Sequence, residues 1–277
     1  MQSVHKDSAD ILNMLTIDVE EWYQTVLFET SGYNNGEFTD LPKSILKILS
    51  LLQQYCVKAT FFISGSLASR YPDIIKIISM KGHEIASHGY LHRLVCRLSE
   101  EEFFDDTKKS LDILNKLSLN KIIGYRAPTW SITKMTPWAI KILKSFGLRY
   151  DSSIYPIGLS LFKSHQIFPY EIRKNFIEVP PSVFNLCGYN LPFAGGTFLR
   201  FFPLSFIKSK IVGINKIRHP AIVYFHSWEF EDIVPHANIK KWKYWIQYGN
   251  VKSVREKINL LLQNFKFSSI KEVLQLE

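Results

Sequence analysis

Two histidines with three residues between them, in Ser87-His88-Gly89-Tyr90-Leu91-His92, are the clearest candidates for chemistry in this chain. They follow Gly82-His83-Glu84-Ile85-Ala86, which reads as a short buried strand arriving at a turn. At that spacing two imidazoles can converge on one point, as two ligands of a single metal ion must. A surface pair of histidines has the same spacing, so the motif gains its weight from others. In Leu15-Thr16-Ile17-Asp18-Val19-Glu20-Glu21-Trp22, Asp18 and Glu20 share strand parity and can point to one side. One carboxylate can bind a divalent ion while its neighbour stays free as a base; a solvated acidic strand end is the plainer alternative. With His88 and His92, one carboxylate completes a three-ligand site with open positions, the arrangement of catalytic rather than structural zinc.

Two further residues end apolar runs. Arg126 closes Ile122-Ile123-Gly124-Tyr125, where an unpaired arginine is costly and a carboxylate base is its natural partner. His226 closes Ile222-Val223-Tyr224-Phe225 and, facing a metal, could protonate a leaving amine. A surface arginine and a satisfied rim histidine are the competing readings.

These residues need a scaffold that gathers strand ends. Strand-like runs at 11–20, 58–64, 83–87, 122–126 and 148–152 alternate with helix-like runs at 41–56, 73–81, 99–117 and a run from Thr136 to Gly147. Ser99 with Glu102 forms a capping box, and Pro137 is expected at the first position of its helix. Such alternation predicts a parallel sheet with right-handed crossovers, closed or open, in a single domain over residues 1–277. Its core spans about 11–277, and residues 1–10 are expected to be flexible. Between Ser153 and Pro220 the pattern loosens; Pro180-Pro181 and Gly195-Gly196 mark long loops, with strands at 176–179 and 221–225. A last helix runs from Ser253 to Phe265, before a short strand or tail. The candidate residues fall where strands hand over to helices, the carboxyl edge on which such sheets build their sites.

The 277 residues, 46% hydrophobic and 14% aromatic, can bury a sizeable core, which excludes disorder for most of the length. A net charge of +9 admits an anionic partner, but the lysines are spread along helices rather than blocked together. Nucleic acid is therefore not expected; weak attraction to a membrane surface, or to an anionic sugar carrier, stays open. Cys56, Cys96 and Cys187 lack paired spacing and read as reduced thiols. Without an apolar leader, or a run near the roughly 20 residues of a membrane helix, a cytoplasmic location is expected, peripheral to the inner membrane at most.

In these motifs the chain resembles the polysaccharide deacetylases of the NodB-homology type, carbohydrate esterase family 4, from Leu15 to about Phe230. It is most similar to the branch that opens with a Thr-x-Asp-x-Glu strand and is associated with exopolysaccharide biosynthesis. The resemblance implies a distorted, incomplete (β/α)7-type barrel. It also implies removal of N-acetyl groups from an N-acetylated sugar, in a cell-surface polysaccharide or its precursor, with a divalent metal, Zn²⁺. On its motifs Asp18 is the base, His88 and His92 are metal ligands, Arg126 of Arg126-Ala127-Pro128-Thr129-Trp130 holds the base, and His226 is the acid. Asp151 falls where a fourth, variable motif would lie, the Thr129 N–H would bind the oxyanion, and Trp130, Gly195 and Gly196 would line the sugar groove.

Two departures bear on this. The family's first motif usually has adjacent aspartates, base then ligand; here Val19 takes the second place and Glu20 is the ready substitute for the metal. Gly89 replaces the hydroxyl residue that usually follows the first histidine. A metal-free amide hydrolase on the same barrel and a silent glycan-binding scaffold are the alternatives.

Overall fold

The computed structural model describes residues 11–24, 40–156, 158–159, 164–232 and 240–277; the expected flexible segment 1–10 lies outside them. β1 (Leu12–Val19) is buried on both faces from Asn13 onward, as a central parallel strand should be. Its odd positions Leu15, Ile17 and Val19 join the main core with the helices, while Met14 joins a second core with Phe62, Ala86, Ile123 and Tyr150. Alternation thus sends Asp18 to the concave side of the sheet, away from the main core.

The helices form because their apolar residues recur at helical spacing. α1 (Leu41–Gln54) buries Leu41, Ile45, Ile48, Leu49 and Leu52 on one face. α2 (Gly65–Arg70) and α3 (Pro72–Met80) follow β2 (Thr60–Ile63), and β3 (Glu84–Ser87) leads to α4 (Glu100–Leu117). The capping box that opens α4 is complete: Ser99 Oγ accepts from Glu102 N at 3.1 Å, and Glu102 Oε2 accepts from Ser99 N at 2.9 Å. β4 (Gly124–Tyr125), α5 (Trp138–Ser145) and β5 (Tyr150–Asp151) come next. α5 starts one residue later than the proline signal predicts. Pro137 stands at its N-cap because Ala139 N already bonds Thr136 O, as in a turn.

The segment read as loops holds more structure than its glycines and prolines suggest. β6 (Gly158–Leu159), β7 (Tyr170–Arg173), β8 (Phe176–Glu178), β9 (Val183–Leu186) and β10 (Tyr189–Pro192) precede α6 (Gly196–Phe201) and α7 (Leu204–Lys216). β11 (Ile222–His226), α8 (Lys241–Tyr248), α9 (Lys252–Asn264), β12 (Lys266–Ser268) and α10 (Ile270–Val273) complete the chain. One sheet takes the order β11-β1-β2-β3-β4-β5-β8-β7, with β12 beside the start of β1; β6, β10 and β9 form a separate small sheet. Pairing in the large sheet is parallel except between β7 and β8, and the small sheet is antiparallel. The large sheet curls into a half-barrel, the single-domain, incomplete (β/α) architecture expected from the sequence.

Register aligns the strand ends. Asp18 pairs with His226 and with Phe62, Ile63 with Ser87, Ser87 with Tyr125, and Tyr125 with Asp151. The residues singled out in sequence therefore stand along one carboxyl edge.

Candidate active site

Glu20 lies one residue past the end of β1, buried, between the two histidines. Its Oε1 is 3.1 Å from His88 Nε2 and 2.8 Å from His92 Nε2. His88 Nδ1 is 2.7 Å from the Arg126 carbonyl oxygen, which can only accept, so the Nδ1 proton is donated there. In the neutral ring that leaves the Nε2 lone pair facing a carboxylate, two acceptors in need of a cation between them. The ligand atoms of Glu20, His88 and His92 lie within 4.8 Å of one another. This donor set fits a zinc-like ion with open positions. Burial opposes ionisation of Glu20, but the neighbouring His92, His226 and His88 hold its carboxyl well below the usual range.

The His88–His92 loop is fixed from behind by α4. Asp106 accepts from Tyr90 N at 2.6 Å and from Leu91 N at 3.3 Å, and Ser87 Oγ is 2.9 Å from Ser110 Oγ. Gly89 holds φ +73°, and a Cβ there would come 3.0 Å from Asp106 Oδ2, so the glycine is what the turn and the clamp require. His92 itself has φ +57°, an uncommon left-handed non-glycine conformation at a functional position. Asp106 escaped sequence reasoning; the signal was an acid on the core-facing side of α4 among Phe103, Thr107 and Ser110.

Arg126 is 1% exposed and meets Asp18 Oδ1 at 2.7 Å. Its other donors go to Thr16 Oγ1 at 3.0 Å and to Ser152 Oγ at 3.0 and 3.3 Å, and its guanidinium lies 4.0 Å from the Phe62 ring centre. The arginine is thus fully paired and aims one carboxylate, while the next same-side carboxylate serves the histidines.

His226, at the end of β11, stands opposite Asp18, with a side chain 17% exposed. Burial opposes its protonation, yet Glu20, Glu229 and Asp18 carry its pKa up to about 9. Glu229 is the partner the sequence reading missed. Its Oε2 lies 3.4 Å from His226 Nδ1 and accepts from the His226 backbone N at 2.8 Å, while its Oε1 pairs with Arg200. All of Glu229 is buried, and despite that burial Arg200 and His226 keep its carboxyl below the ordinary range. The signal lay three residues beyond His226, an acid in an apolar stretch, but its basic partner is 29 positions away.

Asp18, Glu20, His92, Thr129, Trp130, Gly196, Arg200, His226 and Gln247 line one open cleft of about 220 Å³, together with Thr197, Phe198, Tyr224 and Trp228. Thr129 and Trp130 hold left-handed backbone, φ +54° and +49°. Among the described residues, the Trp130 and Trp228 indole N–H groups, Arg200 Nε and Gln247 Nε2 are buried without a hydrogen-bond partner, so the residues lining the cleft keep spare donors. Gly195 sits behind the wall: a Cβ there would fall 2.0 Å from the Tyr224 ring, so only glycine lets this segment pair beside β11. Asp151 lies outside the cleft. It is fully buried, accepts from Ser153 Oγ and stands beside Glu178 in register.

A half-barrel whose carboxyl edge gathers a carboxylate–arginine pair, a two-histidine, one-carboxylate cluster and a histidine beside a buried glutamate defines a class of α/β protein with metal-ligating and acid–base groups at one strand edge. Comparison with known proteins narrows it. Residues 33–150 match the profile of the polysaccharide deacetylase family, and residues 152–275 match a domain of unknown function, DUF3473. A peptidoglycan-N-acetylglucosamine deacetylase of Bacillus cereus is 38% identical over 104 residues, which cover 35% of this chain and 38% of that protein. A peptidoglycan deacetylase of Helicobacter pylori is 29% identical over 110 residues, 40% of this chain and 36% of that one. The chain thus spans less than half the length of these relatives. Among solved structures, a proposed polysaccharide deacetylase from Mycobacterium smegmatis superposes with a TM-score of 0.66 at 20% identity, over 98% of this chain and 91% of that chain. A carbohydrate esterase family 4 pseudoenzyme from Bacillus anthracis gives 0.51 at 16% identity, over 96% and 66%. Over residues 33–150 the chain is thus similar to polysaccharide deacetylases, and along nearly its whole length it shares the fold of the Mycobacterium smegmatis structure. Because the same fold also serves a pseudoenzyme, activity has to be argued from the site.

Proposed function

We propose that the protein is a metal-dependent carbohydrate N-deacetylase. It hydrolyses the acetamide of an N-acetylated sugar in a cell-surface polysaccharide or its biosynthetic precursor. One observation carries the reading: the two carboxylates of the first strand have separate partners, Asp18 with Arg126 and Glu20 with His88 and His92. That division suits one base and one ligand, and a silent binding protein has no use for it.

Glu20, His88 and His92 would hold the ion, and an N/O donor set of this kind favours zinc. When bound, the ion supplies Lewis-acid polarisation of the acetyl carbonyl and acidifies a water. Asp18, steered by Arg126, is the base that would take a proton from the attacking water. Thr129, on left-handed backbone at the cleft wall, offers its N–H to the developing oxyanion. His226, protonated beside Glu229, delivers a proton to the departing amine, so acetate and a free amino sugar leave. Trp130 presents an aromatic face and Gly196 a bare backbone to the sugar ring, and the unpartnered donors of Trp130 and Gln247 suit its hydroxyls. A cleft below the roughly 300 Å³ at which drug-sized sites begin suits one sugar unit of a longer glycan. The strand Thr16-Ile17-Asp18-Val19-Glu20 favours the exopolysaccharide branch of the family for the natural substrate.

The test is acetate release from N-acetylated glycan oligomers by the zinc-loaded protein, before and after chelation. Release that is lost on chelation and restored by zinc is expected. Release unchanged by chelation would make the protein a metal-free amide hydrolase. No release from any N-acetylhexosamine donor, with metal bound, would leave a glycan-binding scaffold.

A further inference from the structure

α8 does two things at once. Its inner face, Tyr244, Gln247 and Tyr248, packs on Trp228 beside His226, and Gln247 reaches the cleft. Its outer face is exposed and aromatic. Of the six tryptophans only Trp242 and Trp245 are exposed, at 56% and 59%, with Trp245 leaning on Phe201 of α6. At helical spacing Trp242, Trp245 and half-buried Ile246 form the outward stripe, while Lys241 and Lys243 flank it and Lys240 stands at the N-cap. Residues 233–255 carry Lys240, Lys241, Lys243, Lys252 and Arg255 and no acid; Arg255 is taken by Asp232.

Exposing two tryptophans to water is unfavourable unless something covers them, and a lysine-rich stretch with no acid in its sequence asks for an anionic partner. Amphipathic rings bordered by lysine stems are the composition that settles at a bilayer interface, rings at headgroup depth and ammonium groups on phosphates. No helix among the described residues is long and apolar enough to cross a membrane. We propose that the outer face of α8 docks on an anionic phospholipid surface, which would hold the neighbouring cleft against the membrane and present it to membrane-proximal or lipid-borne glycan. The docking itself does not depend on the deacetylase reading.

Co-sedimentation with phosphatidylcholine vesicles, with and without one third phosphatidylglycerol, tests it together with tryptophan emission. Binding only to the anionic vesicles, a blue shift on binding and weakening by salt are expected. An interfacial lysine is worth about fivefold in partitioning, so Lys240→Gln/Lys241→Gln/Lys243→Gln should lose on the order of 100-fold. Trp242→Ser/Trp245→Ser should abolish the blue shift; both tryptophans are exposed, so the fold should tolerate the change, as circular dichroism would report. The proposal is overturned if the wild type ignores anionic vesicles, or if either variant binds them undiminished. It is also overturned if soluble N-acetylglucosamine oligomers saturably quench Trp242 and Trp245 while vesicles do not, which would make the stripe a glycan platform. None of these vesicle results bears on acetate release, so the two readings fail separately.

Discussion

Glu229→Gln should disarm His226 without removing it. Glutamine keeps the volume and one acceptor oxygen but deletes a buried charge lying 3.4 Å from His226 Nδ1 and paired with Arg200. Two losses follow from that geometry. Arg200, 2% exposed, loses its ion-pair partner, and breaking a buried pair from one side costs about 3–5 kcal/mol. His226 loses one of the charges that lift its pKa to about 9, and an opposite charge at this range is worth about 1–3 pKa units. The histidine then drifts toward the ordinary imidazole range and is less often protonated at neutral pH. The alkaline limb of kcat/KM should move to lower pH by the same 1–3 units, with a fall in kcat at neutral pH. The assay is acetate release against pH, beside thermal melts. A purely structural Glu229 would lower the melting temperature and leave the alkaline limb in place. The double variant Arg200→Met/Glu229→Leu separates the two effects. Replacing both members of a buried pair with apolar residues is often close to neutral, so stability should return to within about 1 kcal/mol of wild type while the rate stays low. An unmoved alkaline limb in Glu229→Gln, or full activity in the double variant, would refute the reasoning.

Glu20→Ala should purify without metal, whereas Asp18→Asn should keep stoichiometric metal and lose about 10²–10⁴-fold in turnover. Elemental analysis beside the acetate assay decides, and reversed metal contents would exchange the two roles. A third outcome concerns the buried pair of Asp151 and Glu178, whose Oδ2 and Oε2 have no partner unless one carboxyl keeps its proton. Burial lifts Asp151 from 3.8 to about 7 and, with the Asp151 charge, lifts Glu178 well above the usual range. Acids raised by folding stabilise at low pH, and that stabilisation is lost as pH climbs from the unfolded value through the folded one, here from about 4 to about 7. Glu178→Gln should therefore raise the melting temperature at pH 8 relative to wild type and change it little at pH 4. Equal shifts at the two pH values would contradict a shared proton.

The parts of the site written locally were legible in the chain. Period-2 alternation in β1, the capping box of α4 and the strand-end positions of Asp18, His88, Arg126 and His226 are short-range signals, and each has its counterpart in the fold. What stayed hidden depends on distant pairing. Glu229 gains meaning from Arg200, 29 residues earlier, and Asp106 from a loop 16 residues before it. The segment around β9 and β10 looked like loop because its strands are short and half-buried, which weakens alternation. Asp151 misled for the opposite reason. Its strand-end position is real, but burial and register give it to Glu178 rather than to the cleft.

Val19 shows how one strand position decides the ligand. On a strand, neighbouring side chains point to opposite faces, so an acid at position 19 could reach the concave side only if the strand broke before it. Here β1 runs through Val19 and pairs it with Ile63, and Val19 is fully buried among Ile17, Ile45 and Ile63 on the helix side. An aspartate placed there without a local break would be an unpaired charge in an apolar layer. Glu20 is the next residue on the concave side, and Ser227 fixes its backbone from both directions: Glu20 N bonds Ser227 Oγ at 3.0 Å, and Ser227 Oγ donates to Glu20 O at 2.8 Å. From that anchor the carboxylate reaches both imidazoles, while Asp18, two residues back, stays within reach of Arg126. Continuing β1 by one apolar residue is thus what moves the metal-facing carboxylate from position 19 to position 20, and a glutamate there keeps base and ligand apart.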